Sequence, residues 1–245
     1  MNKVLAMLYG VVAYAIFFGS FLYAIGFVGD VVVPKTIDSG TGGALVPSLA
    51  VDVVLLGIFA VQHSVMARPA FKAWWTRMVP PAVERSTYVL FASLALVLLF
   101  WQWRPLTQPI WTVTDANPAA ALMAISALGW LTVLTSTFLI NHFDLFGLRQ
   151  VWAYASGRET PPADFKTPLF YRVVRHPIYL GFIIAFWATP KMTLGHLVFA
   201  GATTAYILIA IQLEEHDLVA AFGETYRNYQ KRVSMIVPWV PSSKT

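Results

Sequence analysis

The sequence predicts an all-α integral membrane protein with five or six transmembrane helices, the last two forming a C-terminal helical hairpin. Three observations predict it. The 245 residues are 58% hydrophobic and only 12% charged, where a soluble domain carries about 25% charge. Mean hydropathy is +0.63. The apolar residues also collect in long runs, and a helix crossing a bilayer core needs about 20 of them. No polar segment is long enough to fold separately, so residues 1–245 read as one membrane domain.

The runs fall in order. Val4 to Val28, Leu49 to Met66, Tyr88 to Trp103 and Ala119 to Ile140 each suit a spanning helix. The first run lacks a small-residue cleavage pattern and is expected to stay as a transmembrane helix. A polar stretch, Asn141 to Arg175, follows. Ile178 to Ala188 and Leu194 to Leu213 then make the hairpin, its turn bracketed by the helix breakers Pro190 and Gly195. The first hairpin run is short, so whether it spans is left open. Phe71, Trp74, Trp75 and Met78 recur at helical spacing beside Lys72 and Arg77, a pattern suited to a helix lying among lipid headgroups. Leu218, Phe222, Tyr226, Tyr229 and Val233 form a second such stripe.

Charge sets the orientation. Arg68, Lys72, Arg77 and Arg85 fill one connection, and Arg149, Arg158, Lys166, Arg172 and Arg175 another. The alternate loops hold one basic residue each, Lys35 and Arg104. Basic connections face the cytoplasm, which puts both termini and the C-terminal motifs there, in a cytoplasmic membrane. The net charge of +5 is then a lipid-facing property, and nucleic acid is not an expected partner. With no cysteine there is no disulfide framework, thiolate metal site or cysteine nucleophile. The five histidines show no metal-ligand spacing, and no metal is expected. The Gly-rich loop Ser39 to Gly43 lacks the Lys-Ser/Thr of a phosphate loop. Oligomeric state is not legible.

Chemistry concentrates in the last third. Arg175 and His176 precede the hairpin and Glu214 and Glu215 end it. If the hairpin closes, all four meet at one membrane face, where such polar groups mark binding sites. Adjacent carboxylates point different ways on a helix, so one of the pair can face a cavity while the other meets a basic neighbour. Pro177 suits a first helical turn, whose free amides favour a carboxylate. Tyr171, Tyr179, Tyr226 and Tyr229 offer ring faces to a cation. A zwitterionic amino-acid cofactor with a sulfonium and an adenine fits this inventory.

The order and spacing of Arg175-His176-Pro177-x-Tyr179-x-Gly181, the hairpin, Glu214-Glu215-x-x-Leu218, Phe222-Gly223-x-x-Tyr226-x-x-Tyr229 and Val237-Pro238 resemble the isoprenylcysteine carboxyl methyltransferase superfamily. The resemblance runs from Tyr171 to Pro238. It implies a membrane methyltransferase using S-adenosyl-L-methionine at a cytoplasmic cofactor site, with contacts at Tyr171, His176, Pro177, Ile178, Tyr179 and Glu214. Gln150 and the Ala163 to Lys166 stretch are further candidates by the same resemblance. The residue chemistry adds Arg175, Glu215 and Tyr226. On this reading residues 141–245 are the cofactor-binding core and 1–140 a scaffold with the substrate cavity. Superfamily members acting on prenylated cysteine carry an Arg one turn before the Glu pair; Ala210 stands there, which removes the expected partner of a carboxylate substrate.

Gln62-His63-Ser64-Val65-Met66-Ala67-Arg68, Glu84-Arg85-Ser86-Thr87-Tyr88 and the run Asn141 to Gln150 are similar to the bacterial methanethiol S-methyltransferases and, less fully, to membrane proteins associated with nitrite and nitric oxide reduction loci. The implied reaction is methyl transfer to a small thiol, methanethiol, giving dimethyl sulfide. His63 and His142 are candidate bases, and Arg85 a candidate thiolate partner. Three alternatives stand beside it: a methyltransferase acting on another small or lipid-soluble nucleophile, a non-catalytic membrane accessory protein of the same fold, and a nicotinamide-dependent membrane reductase.

Overall fold

The computed structural model describes residues 1–159 and 165–238. In chain order the helices are α1 (Lys3–Gly29), α2 (Leu45–Ala67), α3 (Pro69–Trp75), α4 (Pro81–Gln102), α5 (Ala116–Ile140), α6 (His142–Leu145), α7 (Leu148–Ser156), α8 (Pro177–Trp187), α9 (Leu194–Phe222) and α10 (Glu224–Arg232). Among the described residues, α1, α2, α4, α5 and α9 are long and apolar enough to cross a membrane, and α8 is a shorter apolar helix. The chain is thus a multi-pass membrane protein by the length and composition of its helices. Their outward faces carry exposed Val, Leu, Ile and Phe side chains, as a lipid-facing surface should.

Two boundaries differ from the sequence expectation. Helix α4 starts at Pro81 rather than Tyr88, because Pro81 fits the first turn and the following polar residues all tolerate a helix. Helix α9 continues past the Glu214–Glu215 pair to Phe222, since His216, Asp217, Leu218, Val219, Ala220 and Ala221 give it no reason to stop. Gly223 breaks the chain between α9 and α10, so the second amphipathic stripe is divided over two helices. A short strand pair, β1 (Pro109–Thr112) with β2 (Lys191–Thr193), was not expected.

Two compact units are present, each assembled from separate stretches of chain. The first holds Met1–Pro109, His142–Pro162 and Thr193–His196. In it α1 packs on α4 and α7, and α2 packs on α4. Ala6, Val83 and Val151 form one buried cluster; Met66, Tyr88 and Val89 form another, covered by Phe17, Phe71, Trp75 and Phe146.

The second unit holds Ile110–Asn141, Ala163–Met192 and Leu197–Thr245. Its main contact is α5 against α8, made through bare backbone. A Cβ on Gly181 would stand 2.7 Å from the Gly129 carbonyl oxygen and 2.8 Å from a Val133 methyl. Glycine here lets the helices touch, as small residues do in membrane helix pairs. Ser126 Oγ donates to the Ala185 carbonyl across the contact at 2.9 Å, and the Trp130 ring meets Phe182 and Phe186 edge-on. Tyr179, Leu180, Phe182 and Ile183 cover a further cluster of Ile207, Ile211 and Ile236.

Candidate functional site

The candidate residues gather as two groups, one in each unit. In the second unit α8 begins at Pro177, in the first turn. The chain just before it is held by the C-terminal tail: Arg175 N donates to Ser234 O at 2.8 Å and His176 N to Met235 O at 3.2 Å, with a parallel bridge joining Val174 and Ser234. This places Arg175 and His176, both buried, against α9.

Glu215 is the hub. Its Oε1 accepts from Arg175 Nε at 2.6 Å and from His176 Nε2 at 3.0 Å, and its Oε2 accepts from Gln230 Nε2 at 2.8 Å. Arg175 Nη1 donates onward to the carbonyls of Gln230 and Val233, at 3.2 and 2.5 Å. Arg175 and Glu215, expected to face a ligand, therefore use their polar atoms on each other and on α10 and the tail. Gln230 was not anticipated; its only signal was its place four residues after Tyr226 on a helix.

Glu214 points elsewhere. Its side chain is 43% exposed. Oε2 accepts from the Tyr179 hydroxyl at 2.8 Å and lies 3.9 Å from His176 Nδ1. Oε1 has no hydrogen-bond partner among the described residues.

The tyrosines complete this group. Tyr229 donates to the Tyr171 carbonyl, and burial, reinforced by the Glu215 charge and opposed by Arg175, pushes its phenol up to about 12. Burial also raises Tyr171, with Glu214 adding to it, and Tyr226, with Glu215 adding to it. All three stay neutral O–H donors near pH 7. The Tyr226 ring sits against Phe165 and Tyr229, yet its hydroxyl is buried with no partner, a state that costs about 1–3 kcal/mol unless a ligand or water answers it. Ile178 and Tyr179 are half-buried on the first turn of α8. Of the Ala163 to Lys166 candidates, Ala163 and Asp164 lie outside the described residues, and Phe165 packs on Phe222.

The other group lies in the first unit. Gly147, at φ +87°, would bring a Cβ within 2.7 Å of Ser86 N. Glycine thus seats the 141–147 turn directly on α4. Arg85 Nε donates to the Leu145 carbonyl at 2.7 Å, and its guanidinium carbon stands 5.0 Å from the Tyr88 ring centre, a cation–π distance. Neither Nη of Arg85 has a hydrogen-bond partner among the described residues. The Tyr88 hydroxyl lies 2.9 Å from Nε2 and 3.1 Å from Nδ1 of His63, whose ring stacks on Phe59.

His142 is buried, and that burial lowers its pKa. The neutral ring faces the Tyr14 hydroxyl, 2.8 Å from Nε2, beside Phe143 and Phe146. Phe146 stacks on Phe17 with centroids 3.7 Å apart. Tyr14 carried no local signal, being one polar group inside an apolar run. Gln150 Nε2 donates to Asp144 O at 3.1 Å and Oδ1 at 3.2 Å, and its Oε1 is buried without a partner. Among the described residues no group of three or more His, Asp or Glu side chains is arranged to hold a metal ion.

The pattern that defines the NnrU protein family matches residues 53–236. The chain belongs to the NnrU family. Both groups of candidate residues fall within the matched stretch of this NnrU-family chain. It is similar over 97% of its length, at 59% identity, to methanethiol S-methyltransferase 1 of Bradyrhizobium diazoefficiens, covering 83% of that protein. Similarity to the methanethiol S-methyltransferase of Mycobacterium tuberculosis is 57% identity over 98% of both chains. A more distant relative is Nurim of Rattus norvegicus, 31% identical over 76% of this chain and 74% of that one. No solved structure matches the NnrU-family chain.

Proposed function

We propose that this chain transfers a methyl group from S-adenosyl-L-methionine to methanethiol, giving dimethyl sulfide, at the cytoplasmic side of a bacterial inner membrane. One observation carries the reading: relatives named methanethiol S-methyltransferase are 55% to 59% identical over nearly the whole chain. The methyl donor supplies a sulfonium carbon open to in-line displacement by sulfur. The second-unit residues suit it. The open Oε1 of Glu214 offers charge to an ammonium or sulfonium, Tyr179 holds that carboxylate by its other oxygen, and the unanswered Tyr226 hydroxyl offers a donor to a polar atom. Glu215, Arg175 and Gln230 hold these groups in place. The cytoplasmic side follows from the basic connections.

A thiol must lose its proton to be a good nucleophile. In the proposed roles the open Nη groups of Arg85 favour the thiolate, and His63 takes the proton at the ring nitrogen that Tyr88 does not hold. Phe17, Phe146 and His142 supply an apolar wall that keeps water from the sulfur. When bound, the donor would supply its methyl carbon to the thiolate sulfur and leave as S-adenosylhomocysteine, and His63 would hold the thiol proton.

The test is purified protein in detergent with S-adenosyl-L-methionine and methanethiol, read as headspace dimethyl sulfide. Enzyme-dependent product supports the reading. No product together with thermal stabilisation by S-adenosylhomocysteine would move the substrate to another nucleophile; stabilisation by NADPH instead would sink the methyltransferase.

A further inference from the structure

At the end of the first unit away from His63 and His142, a cavity of about 490 Å³ opens between the 30–44 connection and the end of α4. Lys35 and Arg104 line it with Ser39, Thr41, Ser48 and the backbone of Gly40 and Gly43. Helix α2 starts at this place with no side-chain cap, so its positive dipole end adds to the two cations. One turn beyond Ser48, Asp52 is fully buried inside α2. Asp52 Oδ1 accepts the Arg104 backbone N–H at 2.8 Å, and its Oδ2 is buried with no partner. Asp52 thus anchors the Arg104 backbone from behind the cavity lining and offsets part of the local positive charge.

The charge balance is specific. Burial, and after it the Arg104 charge, lowers the Lys35 ammonium, while Asp52 works the other way. Asp30 and Asp38 are engaged by Thr36 and Thr193. Two cations facing one carboxylate leave a single positive charge. The Arg104 guanidinium and the Thr41 and Ser48 hydroxyls have no hydrogen bond among the described residues, so the cavity presents donors that match one anion. Close in the chain to the lining residues, Val32, Leu45, Val46 and Trp101 are all exposed, and an exposed Trp at a helix end is typical of the membrane interface.

We infer that this cavity binds the phosphodiester headgroup of a monoanionic phospholipid, with Lys35 and Arg104 on the phosphate and the acyl chains lying along the apolar rim. A free inorganic phosphate shares the anion chemistry but has no use for the rim.

The test is native mass spectrometry of the full-length protein in detergent with phosphatidylglycerol, phosphatidylcholine or inorganic phosphate. Phosphatidylglycerol should be retained over phosphatidylcholine. Lys35→Gln and Arg104→Gln should each weaken its retention about fivefold, and the pair about thirtyfold, from the usual worth of one basic residue near an anionic headgroup. Arg104→Gln keeps the backbone N–H that Asp52 accepts, which spares the fold. If the double variant does not fold, Thr41→Glu, on the exposed loop, puts a like charge in the cavity and should lower retention by itself. Equal retention of both lipids, retention unchanged in the variants, or displacement of the lipid by millimolar inorganic phosphate would each overturn the assignment.

Discussion

Glu215 and Glu214 are neighbours in sequence and opposites in environment. Every oxygen of Glu215 is answered from within the protein, by Arg175, His176 and Gln230. Glu214 has one oxygen held by Tyr179 and the other open. The same contrast separates the buried Arg175, with its hydrogen bonds to Glu215, Gln230 and Val233, from Arg85 in the first unit, whose Nη groups are unanswered. Charges completed internally build the frame. Charges left incomplete are the ones to which the proposed function assigns a ligand.

That contrast can be broken by substitution. The largest effect on stability is expected at Glu215. Glu215→Ala leaves buried Arg175 without its carboxylate, a loss of about 3–5 kcal/mol, and should lower the thermal midpoint in detergent steeply with or without ligand. His176→Ala should follow in the same direction, because His176 shares that carboxylate. A wild-type midpoint in Glu215→Ala would mean the hub is not what holds the tail.

Glu214→Gln should behave in the opposite way. The fold should survive with little change in midpoint, because Tyr179 can still donate to the amide oxygen. S-adenosylhomocysteine affinity should fall roughly tenfold to a hundredfold, the usual worth of a charge-assisted contact. Arg85→Leu and His63→Ala should leave that affinity near the parent value and depress turnover, by about 100-fold or more if His63 is the base. Loss of cofactor binding in either variant would place them with the frame or the donor site instead.

The smallest effect concerns pH. Burial holds His142 below its ordinary value of 6.5, so the unfolded chain binds a proton that the folded one resists. The contribution is complete above pH 6.5 and is lost as pH falls from there through the lower folded pKa. The midpoint should decline over that acidic window, and His142→Gln should flatten the decline. An unaltered slope in the variant would assign it to other groups.

The spans were legible because lipid selects for apolar runs, and five of them became long helices. Their ends were less so. Nothing between Glu214 and Phe222 is polar enough in a helix-breaking sense to stop α9, and the sequence signal that does stop it, Gly223, comes later. The strands β1 and β2 are three or four residues long, too short to show a period. Of the site, the Arg175–His176 and Glu214–Glu215 elements were readable as partners across a hairpin. Which glutamate turns inward was not, because the choice depends on Gln230 and on a tail folding back to Arg175. Tyr14 and Tyr88 were invisible as histidine partners for a similar reason: Tyr14 meets a ring 128 residues away.

The proposed function divides the labour, with the C-terminal residues holding the methyl donor and the His63–Arg85 group handling the thiol. Equilibrium binding of S-adenosylhomocysteine to the parent protein, Glu214→Gln and Arg85→Leu, measured side by side in detergent, tests it most directly. Binding should weaken in Glu214→Gln alone. Equal affinity in all three, or a loss confined to Arg85→Leu, would contradict it.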